Sequence, residues 1–137
     1  MDVKFITVHC SATKADVDVD AKVIDQWHRQ KGWLKIGYHF VIKRDGTIEP
    51  GRKLDEVGAH VAGFNKGNIG ICMVGGLDAN GKPQDNFTEA QYTSLDSLLT
   101  LLEEDFPKAE LRGHRDFPGV NKACPSFDVR AWRETTR

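Results

Sequence analysis

Residues 69–74, IGICMV, are almost unrelieved by polar side chains. A strand wetted on one face alternates apolar and polar residues, so a short unbroken apolar run fits a strand covered on both faces. Such a strand needs neighbours in a sheet and packing layers above and below it. The rest of the chain offers both. Residues 4–9 alternate and are rich in Phe, Ile, Thr and Val, which predicts a second strand ending at His9. Residues 38–44 (YHFVIKR) and 47–49 flank Asp45-Gly46, a dipeptide suited to the positive backbone angles of a two-residue hairpin turn. Residues 110–113 read as a short strand that delivers His114.

Helical signals fall between these strands. Thr88 and Gln91 have capping-box spacing ahead of Tyr92, Leu95, Leu98, Leu99 and Leu102, which recur as one buried helix face does. Val19, Val23 and Trp27, four apart, predict the inner face of an earlier helix, capped by Asp18 or Asp20 and ended by Gly32. Asp128 is placed to cap a last helix carrying Trp132. Residues 11–18 and 51–67 lack periodicity and read as surface loops, and 78–81 as a turn. A chain of 137 residues with no repeat or linker suits one domain spanning residues 1–137. The expected class is α/β, a central mixed β-sheet flanked by helices.

Composition removes several functions. A net charge of -1 gives no electrostatic reason to bind nucleic acid, and no segment approaches the roughly 20 apolar residues of a membrane span. The first ten residues, MDVKFITVHC, lack the pattern of a secretion signal, so synthesis and folding in the cytoplasm are expected. Three cysteines in a reducing compartment argue against a disulfide framework. Cys72 lies within the apolar run, and Cys10 leaves its strand opposite His9; both read as core. Cys124 is different, because a thiol in the polar Gly/Pro loop GHRDFPGVNKACP has no packing reason to be there.

His9 at a strand end, His60 in a loop, His114 after a strand and Cys124 stand where a fold exposes chemistry. Two imidazoles and one thiolate are good zinc ligands, and three protein ligands leave a fourth position open, as catalytic sites do. Position alone also fits ordinary hydrogen-bonded surface histidines. It equally fits Cys124 as a nucleophile with His114 as its base. Lys122 lies two before Cys124 and projects the same way in an extended segment, so its ammonium would face developing negative charge, with the Tyr38 phenol as a second donor. The bland readings are a solvated loop lysine and a tyrosine at a strand surface.

Five blocks in order, HCSAT at 9–13, QWHRQKGW at 26–33, GYHFVIKRDGT at 37–47, NIGICMVGG at 68–76 and KACPSFD at 122–128, resemble the short phage-type N-acetylmuramoyl-L-alanine amidases, relatives of the peptidoglycan recognition proteins. The resemblance covers nearly the whole chain. It implies one Zn2+ held by His9, His114 and Cys124, catalytic roles for Tyr38 and Lys122, and a place for His60 near the substrate groove. Noncatalytic relatives typically lack the zinc cysteine, whereas Cys124 and Tyr38 are both present here. The implied reaction hydrolyses the amide between the lactyl group of N-acetylmuramic acid and L-alanine in peptidoglycan. The implied biology is an endolysin that waits in the host cytoplasm as a monomer and reaches the wall through a membrane lesion. A phage relative also inhibits its phage's RNA polymerase, so that polymerase is a further partner to expect, although little chain precedes His9 to make the contact.

Overall fold

The apolar run at 69–74 lies in the middle of the sheet that it demands. In the computed structural model, which describes residues 2–137, the chain runs β1 (Phe5–Cys10), β2 (Thr13–Lys14), α1 (Ala21–Gln30), β3 (Phe40–Ile42), β4 (Ile48–Pro50), β5 (Asn68–Met73), β6 (Gly76–Leu77), α2 (Glu89–Asp105), β7 (Glu110–Gly113), a 3-10 turn (His114–Asp116) and α3 (Val129–Thr136). The central sheet has five strands in the order β4-β3-β5-β1-β7. β1 and β5 pair in parallel and each takes a second parallel neighbour, whereas β3 and β4 form an antiparallel hairpin. Every residue of β5 is buried. The single-domain α/β fold with a mixed sheet is therefore as the sequence predicts.

Alternate residues of β5 divide between two layers. Ile69, Ile71 and Met73 join Ile6, Val8 and Ile42 under Leu95, Leu98, Leu99 and Leu102 of α2 and Val129 of α3. Each such side chain contributes roughly 1.5–3 kcal/mol by leaving water. Cys72 and Val74 join Val41 on the opposite face, beneath Val19, Ile24 and Ile36. Thr88 and Gln91 form the capping box as predicted. Buried Gln91 does more: its amide donates to the carbonyls of Ile42 at 3.0 Å and Val74 at 2.9 Å, tying the start of α2 to the ends of β3 and β5.

Several local expectations change. Asp20 caps α1, accepting from the Val23 amide at 2.8 Å, but the helix buries Ile24 and His28 and leaves Trp27 exposed. Val19, just before the helix, and Val23 pack into the core as expected, but the buried face continues through Ile24 and His28 and misses Trp27. The hairpin is not closed by a two-residue turn: Lys43 N–H donates to Thr47, Gly46 N–H to Lys43, and Gly46 alone in that turn has positive φ, at 90°. That is a three-residue loop in which the αL glycine restores the strand twist. Residues 13–14 form β2 and pair in parallel with β6, a second small sheet within a stretch expected to be loop. The loop at 51–67 has no regular structure, but it folds inward and buries His60 and Val61. Among the described residues, no helix is long and apolar enough to cross a membrane.

Candidate functional site

Strand parity turns Thr7 and His9 to the face opposite Val8, and His9 is buried. β7 lies beside β1 and ends at Gly113, so the chain enters the 3-10 turn with His114 next to His9; the two rings lie 4.6 Å apart. Asp116 pins this turn by accepting from the Gly113 amide at 2.8 Å. The following loop is held at Cys124, whose carbonyl accepts from Arg115 N–H at 2.9 Å and whose Sγ accepts from Cys10 N–H at 3.1 Å. His9, His114 and Cys124, drawn from three distant segments, each turn one potential ligand atom inward, and these atoms all lie within 4.8 Å of one another. The convergence expected from the sequence is present.

The other candidates gather around this point. Tyr38 precedes β3, half-buried, with its ring 5.1 Å from that of His9. Its position is fixed by α1, since Asp25 accepts from the Ile36 amide and His28 Nδ1 from the Gly37 amide, each at 2.8 Å. Lys122 is exposed on the rim of a cleft of about 580 Å3 lined also by His9, Tyr38, His60, His114 and Cys124. His60 lines the wall of that cleft, but both of its ring nitrogens meet protein atoms: Nδ1 faces His9 Nε2 and Nε2 faces the Asn68 carbonyl, each at 2.9 Å. This leaves it no free nitrogen for a substrate. Cys72 is core, as expected. Cys10 is buried as well, yet it lies directly behind Cys124 and lines the cleft.

The electrostatics favour neutral imidazoles. Burial, then the nearby His60, His114 and Lys122, holds His9 well below its ordinary value. Burial brings His60 down to about 4, and burial with the Lys122 ammonium lowers His114. Uncharged rings keep the lone pairs that a cation requires. Burial raises Tyr38, so its phenol keeps its proton and remains a donor. Contact with the Cys10 thiol and burial push the Cys124 thiol up. The Cys10 amide that donates to Cys124 Sγ works the other way, and a neighbouring dication would favour the Cys124 thiolate further.

His28, Lys31 and Trp33 are cleft residues that sequence reasoning did not single out. The His28 ring lies 4.6 Å from Trp33 and 5.5 Å from Tyr38. A second hollow of about 410 Å3 runs along α1 and shares Ser11, His28, Lys31 and Tyr38 with the cleft. The signal was the block QWHRQKGW, in which two indoles and two cations surround the histidine; without the register of the helix, its face could not be assigned.

Known proteins resemble this chain in sequence and in fold. A family model described as N-acetylmuramoyl-L-alanine amidase matches residues 1–127. An endolysin of Klebsiella phage KP32 is 54% identical over 129 residues, covering 94% of this chain and 84% of its own. Among solved structures, the endolysin amidase LysCS from Clostridium intestinale superposes with a TM-score of 0.83 at 29% identity, over 98% of this chain and 83% of that one. Bumblebee PGRP-SA has a TM-score of 0.79 at 20% identity, over 98% and 81%; at that identity the likeness is one of fold. The molecule thus has the fold shared by endolysin amidases and peptidoglycan recognition proteins. The chain belongs to the N-acetylmuramoyl-L-alanine amidase family, and its activity is that of an amidase acting on peptidoglycan.

Proposed function

We propose that residues 1–137 form one catalytic domain that hydrolyses the bond between the lactyl group of N-acetylmuramic acid and L-alanine, using a single Zn2+ held by His9, His114 and Cys124. The observation that carries this reading is the meeting of three ligand atoms within 4.8 Å beside a cleft. The donor set suits the ion: two imidazoles and a thiolate are ligand types that zinc prefers, and here they converge from three segments of the chain. Zn2+ so held supplies Lewis acidity, which polarises a carbonyl and lowers the pKa of water toward neutrality.

The chain's own residues supply the rest. Tyr38, protonated by virtue of its burial, and the Lys122 ammonium donate to the carbonyl oxygen of the scissile amide as negative charge builds there. Both groups carry a proton that the leaving amine needs. The cleft and the adjoining hollow along α1 give the peptide stem and sugar room on either side of the reacting bond. The high identity to phage endolysins supports a role in host lysis, reached through a lesion that another agent makes in the membrane. The test is metal content measured beside wall turbidity clearing, in wild type and Cys124→Ser. One zinc per chain and chelator-sensitive clearing are expected in the wild type, and neither in the variant; full clearing by demetallated protein overturns the reading.

A further inference from the structure

We infer that His60 is a positioning residue that fixes the tautomer of His9, leaving His9 Nδ1 as the nitrogen with a free lone pair for the metal. This rests on the zinc reading above and goes beyond it. A backbone carbonyl can only accept, so the 2.9 Å contact between His60 Nε2 and the Asn68 oxygen requires the proton of His60 to sit on Nε2. In a neutral ring Nδ1 is then an acceptor. His9 Nε2, 2.9 Å away, must donate to it. A histidine protonated at Nε2 has its lone pair at Nδ1, and the hydrogen bond it donates also raises that nitrogen's basicity.

The surroundings are shaped to hold this relay. A Cβ at Gly70 would stand 2.8 Å from His60 Cγ, and one at Gly58 would stand 2.7 Å from His60 Cδ2. Any larger residue at either position would push the ring off its axis. Asn65 accepts from the amides of His60 and Val61 at 2.9 and 2.8 Å, fixing the backbone that carries the ring. Asn68 at the far end is itself held: its side chain accepts from the Thr7 hydroxyl at 2.6 Å and donates to the Phe64 carbonyl at 2.9 Å. His39 joins loop to sheet, since Nδ1 accepts from the Gly70 amide at 3.0 Å and Nε2 donates to the Glu56 carbonyl at 2.8 Å.

The experiment reads the tautomer directly. Long-range proton–nitrogen correlation spectra of the 15N-histidine-labelled full chain, zinc-free, distinguish Nε2–H from Nδ1–H rings. Wild type should show both His9 and His60 as Nε2–H. His60→Ala should show His9 as a tautomer mixture and bind zinc about 10–100-fold more weakly in competition with a chromophoric chelator. His60→Gln, whose amide can accept and donate at once, should recover most of that affinity. An Nδ1–H His9 in the wild type, or wild-type zinc affinity in His60→Ala, overturns the inference. If His60→Ala does not fold, the wild-type spectrum still decides. A protein that clears wall material with zinc but has an Nδ1–H His9 loses this inference and keeps the zinc reading; an intact relay with metal-independent clearing loses the zinc reading, and with it the metal's part of this inference, and keeps only the tautomer assignment.

Discussion

The two faces of the central sheet are built from the same strands and differ in nearly everything else. One face of β1 and β5 carries Ile6, Val8, Ile69, Ile71 and Met73, close-packed under α2 and α3. The other carries Thr7, His9, Asn68, Gly70 and Cys72, and the apolar cluster there is much smaller. Parity makes this possible, because a strand's two faces can be specified independently. The lesson is a division of labour. The aliphatic face contributes the burial that holds the sheet, and the opposite face can then tolerate buried imidazoles, small glycines and a cleft that contribute little to stability.

This contrast can be broken by mutation. Cys124→Ser should reduce wall clearing to background while moving the denaturant midpoint little; a large loss of stability would show that the site face also carries the fold. Lys122→Ala should lower kcat by about 10²–10³, the usual effect of removing one donor to a developing oxyanion, with zinc still bound by metal analysis. On the other face, Ile71→Ala should cost about 2–5 kcal/mol in urea unfolding and leave kcat unchanged at permissive temperature. Equal sensitivity of both assays to either substitution would dissolve the comparison.

Two smaller effects sharpen it. His28 and His60 are held at about 4 by burial, below the ordinary 6.5 of the unfolded chain. Between these values the unfolded state binds more protons than the native one, so stability is full above pH 6.5 and falls as the pH drops toward 4. Urea midpoints at pH 7 and pH 5 should show the loss, and His28→Asn should flatten part of the slope. Thr88→Ala removes the cap of α2 and should cost about 1 kcal/mol, read from the thermal midpoint, without altering hydrolysis.

Local physics made much of the architecture legible. The apolar run of β5, the capping box at Thr88 and Gln91 and the strand ending near His9 are each decided by neighbours in sequence, and each forms as expected. The misreadings have the same origin. On α1 only Trp27 falls off the buried face, because Val19 lies outside the helix, and nothing local reveals that Glu49, far along the chain, accepts from the Ala21 amide at 2.8 Å and helps set where the helix begins. Likewise β2 exists only because β6 lies beside it.

The sequence by itself determined which chemistry is available: which residues are ligands, donors and core, and which strands can be buried on both sides. Tertiary structure alone decided how those groups face one another. It put Cys10 behind Cys124, and it turned His60 away from solvent so that both of its nitrogens are engaged by protein. Hydrogen-bond direction and ring orientation depend on atoms brought together across β1, β5 and two loops, and such pairings leave no periodicity in a linear chain for any local rule to read.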